Sequence, residues 1–330
     1  MSIWKKSLLG VMVLVVTTQL VACASPASSF AKDLAWQGVP GATGHIVMVG
    51  GGTRPDNIMR QILLLSSDNS MLVIPMASAT PQETGDSQAA EFTALGASEV
   101  DVLVLPEDAS SDPARTQQLA DQIAAAKGIW FSGGDQNRLM MFLGNGPLLQ
   151  AVRTAYRNGA VISGTSAGTA VISSTMITGS EVFPADDQNF GVMAENNVIT
   201  APGIGLLGNM IVDQHFIIRS RLNRLISVLL DSPEFLAAGI DEATALWISA
   251  DGQAQVLGES QVILLQKMGD ADSVVMRANY HGLSRQLDSP QLQAARDIRL
   301  SVLPPGSRFR ITDTGIESLQ LSTAGAQPPL

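Results

Sequence analysis

Two patterns along the chain predict an α/β fold: a flavodoxin-like, mostly parallel sheet with helices on both faces, extended by C-terminal antiparallel strands. From residue 45 to residue 174, short runs of β-branched and other apolar residues alternate with amphipathic segments over short connections, which is typical of parallel strands joined by helices. From residue 245 onward, short apolar runs follow one another with only small groups of polar, Gly or Pro residues between them. These later runs predict antiparallel strands that belong to the same domain.

The first strand is expected over residues 45–49, because His-Ile-Val-Met-Val is rich in β-branched residues and runs into a glycine-rich turn at 50–52. Asp56 is then placed to cap a helix. Residues 112–128 give the clearest helical pattern, with Asp112 as N-cap and a proline at the first position. The other elements expected in this half are strands at 71–75, 102–105 and 129–131 and a helix ending at residue 96.

The parallel region continues with a helix over 147–158 and a fifth strand at 161–163, which is followed directly by another helix. In such sheets the ligand lies at the carboxyl ends of the strands, where the turns at 50–52 and 133–134 and Ser166 all fall. The later antiparallel strands are expected at 246–248, 254–257, 262–266, 274–276, 298–303 and 309–311.

The composition is that of a well-packed globular protein, with 330 residues of which 45% are hydrophobic and 15% charged. The formal net charge is −10 and the sequence pI is about 4.7. Because an acidic chain repels a phosphate backbone, nucleic acid is not expected as a partner, and a cationic or zwitterionic ligand is favoured.

The N-terminus predicts an export signal. Two lysines precede an apolar stretch over 8–16 that is too short for an ordinary membrane span, and Leu-Val-Ala-Cys follows at 20–23. This tetrad resembles the lipobox of bacterial lipoproteins, and Cys23 is the only cysteine of the chain. We therefore expect a lipoprotein signal peptide over 1–22 and an exported, lipid-anchored protein. Ala24 favours the outer membrane over retention at the inner one.

The rest of the chain divides into three parts. Residues 23–40 are small, polar and proline-bearing and predict a tether to the membrane. Residues 41–321 carry the predicted strands and helices and form the folded domain. Residues 322–330 predict a flexible tail. The pattern leaves a homodimer open.

Residues 159–174 combine a strand, a sharp turn and a helix around Ser166. Gly164 and Gly168 stand two residues before and after it and remove the Cβ atoms that would clash in so tight a turn. The hydroxyl then projects from a strained corner at the positive end of a helix, as in a nucleophile elbow. We interpret Ser166 as a catalytic nucleophile; the alternative is a plain glycine-rich turn.

Three histidines are available as a base for Ser166. His45 starts the first strand, at the opposite end of a parallel sheet, and His281 lies in a polar turn among the late strands. His215 closes an apolar, strand-like run that breaks into polar residues, again at a carboxyl end. His215 is therefore the best candidate.

A carboxylate is needed to orient that base, and Asp241 and Glu242 both follow a short apolar run. The residues alone do not choose between them. For an oxyanion hole, the candidates are the backbone N–H groups of Ala167 and of Gly133 or Gly134, because glycine lets a backbone approach a substrate closely.

Positive charge concentrates after His215 in an otherwise acidic chain, at Arg219, Arg221 and Arg224. With apolar residues interspersed, this pattern fits a solvated helix face. It fits equally a set of guanidinium groups that bind a substrate carboxylate with bidentate geometry.

Four motifs stand in order along the chain: FSGGDQ at 131–136, GTSAG at 164–168, a segment over 201–225 that contains DQHFIIRSRLNRL, and GIDEATAL at 239–246. Together they resemble the cyanophycinase branch of the S51 serine peptidases, in the class I glutamine amidotransferase-like superfamily. The resemblance covers most of residues 44–312.

This resemblance implies that Ser166 is the nucleophile, His215 the general base and then acid, and Glu242 the orienting carboxylate. It implies no metal and no cofactor. Members of this branch cleave cyanophycin, a polyaspartate whose side-chain carboxylates each carry an arginine, and release β-Asp-Arg dipeptides. The residues that the resemblance places around the substrate are Gln136, Asp213, Gln214, Arg219, Arg221 and Arg224.

We therefore expect an exported serine hydrolase that cuts β-linked aspartyl peptides, with cyanophycin as substrate, through an acyl-serine intermediate. The alternatives are an aspartyl or isoaspartyl peptidase of the same family that does not act on the polymer, and a non-catalytic binding lipoprotein. A generic α/β-hydrolase esterase would instead order its triad as Ser166, then Asp241 or Glu242, then His281. The motifs leave the role of segment 179–197 open.

Overall fold

The structure is a computed structural model that describes residues 38–105, 112–183, 193–268, 274–276 and 292–322. The helices in these ranges are α1 (Asp56–Leu65), α2 (Pro81–Ala94), α3 (Pro113–Ala125), α4 (Gln136–Leu143), α5 (Pro147–Arg157), α6 (Ala167–Ala170) and α7 (Leu222–Asp231). The strands are β1 (His45–Val49), β2 (Ser70–Ile74), β3 (Glu99–Val102), β4 (Gly128–Phe131), β5 (Val161–Thr165), β6 (Thr175–Glu181), β7 (Val198–Pro202), β8 (Met210–Gln214), β9 (Leu236–Ile240), β10 (Thr244–Ser249), β11 (Gln253–Gly258), β12 (Val262–Lys267), β13 (Val274–Met276), β14 (Leu292–Ala294), β15 (Ile298–Leu303), β16 (Arg308–Thr312) and β17 (Gly315–Gln320).

A nine-stranded sheet in the order β17-β16-β11-β10-β1-β5-β4-β2-β3 carries the predicted parallel region. Its strands β1, β5, β4, β2 and β3 are mutually parallel. Strands β10, β11, β16 and β17 extend it through antiparallel pairs. The parallel core follows from the βα alternation, because parallel neighbours need a crossover connection. This confirms the predicted α/β class and its antiparallel extension.

A second, six-stranded sheet was not anticipated by the sequence pattern. Its order is β15-β12-β9-β8-β6-β7, with β6, β8 and β9 parallel and the rest antiparallel. The late strands therefore divide between sheets. Strands β12 and β15 join this one, β10, β11 and β16 join the first, and β13 pairs with β14 in a separate two-stranded sheet. Periodicity along a strand shows which face is apolar but not which sheet supplies its neighbours, so the division became visible only in the fold.

Apolar residues on the two faces of the nine-stranded sheet belong to different clusters. Along β1, Ile46 and Met48 lie in the larger cluster, together with residues of α3 to α6 and of the second sheet. Val47 and Val49 lie in the other, which is covered by α1 and α2. A third cluster packs α7 on the second sheet through Leu225 and neighbours. Both faces of the parallel strands are thus buried, as their continuous apolar runs require.

Most predicted elements are confirmed, with three informative differences. Asp112 caps α3 and accepts hydrogen bonds from the amides of Ala114 and Arg115. Asp56 was wrong as a cap: Pro55 holds that position, and Asp56 is the first helical residue. Strand β3 ends at residue 102, where the sequence pattern predicted its start. It is the edge strand of its sheet and exposes Glu99 and Asp101, so no continuous apolar run marks it in the sequence. Helix α4 was not predicted.

The predicted signal peptide, Cys23 and His281 lie outside the described residues, as do nearly all of the tether and the tail beyond residue 322. The described residues belong to one compact unit, Asp33–Leu330. Among them, no helix combines the length and apolar character needed to cross a bilayer.

Helix α1 offers a matched test of the packing on the sheet. Ile62 is fully buried and Leu64, two residues later, is 70% exposed. We expect Ile62→Ala to lower the free energy of unfolding by about 2–5 kcal/mol, because it removes buried methyl groups and leaves a cavity. Leu64→Ala should change it by no more than about 0.5 kcal/mol. Urea unfolding followed by circular dichroism measures both, and equal effects would contradict this packing.

Candidate active site

Ser166 occupies the sharp turn between β5 and α6. Its φ is 53° and its ψ is −112°, a backbone conformation that non-glycine residues rarely adopt. The turn is tight because a Cβ on Gly168 would lie 2.3 Å from the Phe131 carbonyl oxygen, and one on Gly164 would lie 2.5 Å from that of Gly168. The local geometry is therefore that of a nucleophile elbow, and it needs glycine at both flanking positions.

His215 follows β8, the neighbour of β9 in the second sheet, and also has a positive φ of 48°. Its Nε2 lies 2.8 Å from Oγ of Ser166. The ring packs on the glycine turn after β1, where a Cβ on Gly51 would lie 2.2 Å from Cε1 of the imidazole. Gly51 therefore leaves the space that the imidazole fills.

Glu242, after β9, is the carboxylate that meets this histidine. Its Oε1 lies 2.5 Å from Nδ1 of His215. Asp241 turns elsewhere: it accepts hydrogen bonds of 3.0 Å from the amides of Ile217 and Ile218 and one of 2.7 Å from the Ser260 hydroxyl. The two adjacent acids thus have separate positions, Glu242 on the imidazole and Asp241 on the turn that follows it.

The loops that carry these three side chains are attached to consecutive carbonyl groups at the end of β1. The Val49 carbonyl accepts from the Ser166 amide at 3.1 Å, and the Gly50 carbonyl accepts from the His215 amide at 2.7 Å. The Gly51 carbonyl accepts from the amide of Ala243, next to Glu242, at 3.0 Å. Three segments distant in sequence are thereby brought to one point.

Thr169 adds a side-chain bond at the same place. It is fully buried, and its hydroxyl lies 2.7 Å from the Val49 carbonyl oxygen and 2.8 Å from that of Gly164. A threonine here ties the helix after the elbow to both β1 and β5.

Burial lowers the pKa of His215, and the nearby guanidinium groups of Arg219 and Arg221 lower it further. The hydrogen bond and charge of Glu242 act in the opposite direction. Because burial is the largest of these effects, the pKa stays below its ordinary value and the imidazole is neutral at neutral pH. A neutral imidazole bonded to a serine hydroxyl is able to accept its proton.

The turn after β4 lies beside the serine. A Cβ on Gly133 would be 3.3 Å from Cβ of Ser166 and 3.9 Å from its Oγ. In the part of the chain that the structure describes, the amides of Gly133, Gly134 and Ala167 donate to no backbone carbonyl. They are therefore available to an oxygen of a bound ligand, as an oxyanion hole requires.

A polar cavity of about 340 Å³ opens next to Ser166. It includes five of the predicted site residues with long polar side chains, Gln136, Gln214, Arg219, Arg221 and Arg224. Polar residues at the N-terminus of α4 and in β6 complete its wall, namely Asp135, Asn137, Thr178 and Ser180. No sequence pattern indicated a role for these last four, although Asp135 lies inside the FSGGDQ motif.

Asp213 and Arg224 form a buried ion pair at the wall of the cavity. Each side chain is 1% exposed, Nε of Arg224 lies 2.7 Å from Oδ2 of Asp213, and a second guanidinium nitrogen contacts Oδ1. Arg221 donates to the carbonyl and to the side-chain oxygen of Gln214, at 2.6 and 2.9 Å. Burial, with the charge of Arg224, lowers the pKa of Arg221 to about 10. These contacts hold Arg221 and Arg224 in a fixed arrangement.

Gln136 and Arg219 lie at different depths of the cavity. Gln136 is buried, and its amide donates to the carbonyl groups of Ile177 and Thr178 at 3.0 and 2.6 Å. It therefore joins α4 to β6. Arg219 is exposed, and its guanidinium forms no ion pair with any described residue.

His45 lies at the far end of β1, where it pairs with Val161 at the start of β5. The structure therefore does not bring it to the site. The described residues contain no group of three or more His, Cys, Asp or Glu side chains arranged to hold a metal ion.

Known proteins resemble this chain both in sequence and in structure. The family model described as peptidase family S51 matches residues 46–256. A cyanophycinase of Trichormus variabilis is 31% identical over 279 residues, which covers 82% of this chain and 87% of that protein. A cyanophycinase of Synechococcus elongatus is 32% identical over 278 residues, with coverage of 82% and 80%.

A solved structure shares the fold. The crystal structure of a peptidase from an acI-B1 actinobacterium matches with a TM-score of 0.54 at 23% identity, and the match covers 82% of this chain and 100% of that one. The family model spans well over half of the chain, and the relatives are similar across most of it. The chain therefore belongs to peptidase family S51 and is a serine-type peptidase.

Proposed function

We propose that this protein is an exported serine peptidase that hydrolyses cyanophycin and releases β-Asp-Arg dipeptides. The observation that carries the proposal is the continuous chain of hydrogen bonds from Ser166 through His215 to Glu242, beside a cavity lined with guanidinium groups. The relatives named cyanophycinase, similar over 82% of this chain, support the choice of substrate.

In the proposed reaction, Ser166 attacks the scissile carbonyl carbon while His215 takes the hydroxyl proton, and Glu242 stabilises the imidazolium that forms. The amides of Ala167 and of Gly133 or Gly134 bind the oxygen that becomes negative. His215 then passes the proton to the leaving amine, which departs and leaves an acyl-serine. Water, deprotonated by His215, hydrolyses that ester and restores the serine.

The charges around the cavity support a substrate of this class. Each unit of cyanophycin has a free carboxylate and a guanidinium group, both from its arginine. Arg219 is placed to bind a carboxylate, because it lines the cavity and forms no ion pair with any described residue. The negative charge of the whole chain attracts the guanidinium groups of this polymer.

Export and lipid anchoring belong to the same proposal. They rest on the apolar segment over 8–16 and on the Leu-Val-Ala-Cys tetrad, with Cys23 as the lipidated residue. The proposed location is the outer membrane, where the tether would hold the peptidase domain at the surface.

The substrate is tested with the full-length chain in detergent, incubated with purified cyanophycin beside a Ser166→Ala variant. We expect β-Asp-Arg, read by mass spectrometry, from the wild type, and a rate at least about 10³-fold lower from the variant, because the nucleophile is lost. Hydrolysis of added isoaspartyl or aspartyl dipeptides, with the polymer left intact, would instead indicate a peptidase of small peptides. A folded protein inactive on all of them, whose Ser166 also fails to react with a fluorophosphonate, would indicate a binding lipoprotein.

The pH dependence tests the base. Only the neutral imidazole accepts the serine proton, so kcat/KM should fall as pH drops through the pKa of His215. Because burial lowers this pKa, the acid limb should lie below about pH 6.5, the ordinary value for histidine.

Glu242→Gln sharpens this test. Removing the carboxylate removes a contribution that raises the pKa of His215, so the acid limb should move to still lower pH. The plateau rate should fall by about 10²–10⁴-fold, since the imidazolium is no longer stabilised. Profiles of kcat/KM between about pH 4 and pH 8 measure both. An unchanged profile in this variant would argue against His215 as the base.

Lipidation is tested by expressing the wild type and Cys23→Ser in a bacterium fed radiolabelled palmitate. We expect label and membrane association in the wild type alone, because the thiol is the acceptor. Label that persists in the variant, or is absent from both, would refute the anchor.

A further inference from the structure

The charges that line the cavity differ in how far the protein already neutralises them. Arg224 is paired with the buried carboxylate of Asp213. Arg221 is 3.7 Å from the same carboxylate and donates to Gln214. These two guanidinium groups are therefore held within the protein. Arg219 differs, since it is exposed and forms no ion pair with the residues that the structure describes.

Asp135 is the acidic residue on the same wall. It is exposed and lines the cavity with Ser166. One of its oxygens, Oδ1, accepts from the Asn137 amide at 2.8 Å and caps α4. This bond fixes the direction of the carboxylate and leaves Oδ2 without a hydrogen-bond donor among the described residues. Arg138, the basic residue of the same helix, turns away and donates to the Ser78 carbonyl.

The cavity therefore presents one carboxylate and one guanidinium that no described residue neutralises, beside the serine hydroxyl. A zwitterionic ligand satisfies both. We propose that Asp135 binds the cationic side chain of the substrate, a guanidinium or ammonium group, and so selects basic over neutral residues. This inference rests on the proposed function for the identity of the ligand. It adds Asp135 as a residue that distinguishes charged from neutral side chains of the substrate.

A charge-neutral substitution separates this role from helix capping. Asparagine caps a helix about as well as aspartate, so Asp135→Asn keeps the bond to Asn137 and removes the charge. Asp112→Asn is the matched control, because Asp112 caps α3 in the same way but does not line the cavity. Thermal unfolding of both variants checks that they fold.

The probes are two synthetic oligomers of the cyanophycin repeat, one with arginine and one with citrulline, in which a neutral urea replaces the guanidinium. Binding is measured by calorimetry to the full-length Ser166→Ala protein in detergent, so that no turnover is needed. We expect the arginine oligomer to bind about 10- to 100-fold more tightly than the citrulline oligomer, because a charged hydrogen bond is lost with citrulline. Adding Asp135→Asn should bring the ratio close to one, and adding Asp112→Asn should leave it unchanged.

A preference for arginine that survives Asp135→Asn would overturn the inference, as would equal binding of the two oligomers or no binding of either in the Ser166→Ala protein. Hydrolysis of cyanophycin by the wild type is a separate measurement. The proposed reaction fails if the polymer is bound with this charge preference but not cut, and the inference fails if it is cut without it.

Discussion

The site depends on one short length of backbone, the carbonyl groups of residues 49–51 at the end of β1. They accept hydrogen bonds from Ser166, His215 and Ala243 in turn, and so they set the distances between the serine, the imidazole and the carboxylate of Glu242. The first of these segments belongs to the nine-stranded sheet, whereas the second follows a strand of the six-stranded sheet. The glycine turn is therefore the junction of two sheets. A side chain at Gly51 would occupy the space of the imidazole itself.

Hydrogen bonds on both sides of this junction stabilise its strained backbone. Ser166 and His215 both have positive φ, a conformation that costs about 1–3 kcal/mol for each such residue. Thr169 offsets this cost with hydrogen bonds to two backbone carbonyl groups. Asp241 does so by accepting from two amides of the turn after His215. Preorganisation of this kind keeps the serine and histidine within bonding distance before a substrate arrives.

The charged residues around the cavity fall into a buried, paired group and an exposed group. The pair of Asp213 and Arg224 is buried and bidentate. Removing either side chain would destabilise the fold, because the other charge would stay buried without a partner. Arg221 lies 3.7 Å from the same Asp213 carboxylate and donates to Gln214. The exposed charges, Asp135 and Arg219, remain at the cavity surface. A buried, paired layer thus supports an outer layer at the cavity surface. The residues of the two layers lie in β8, in the segment that follows it and at the start of α4.

The sequence by itself determined the local features: the βα alternation, the Asp112 cap, the late strands and the strand–turn–helix around Ser166. Each depends on residues within a few positions, where periodicity and glycine placement act directly. It also selected His215 among the three histidines as the base, since only this one follows an apolar run at the carboxyl end of a predicted strand. Only the tertiary structure decided the second sheet, the edge position of β3 and the separate contacts of Asp241 and Glu242. Neighbouring side chains at a strand end point in different directions, so their partners depend on which segments lie on each side. Hydrophobic pattern does not encode that choice, because it is made by backbone hydrogen bonds between segments far apart in the chain.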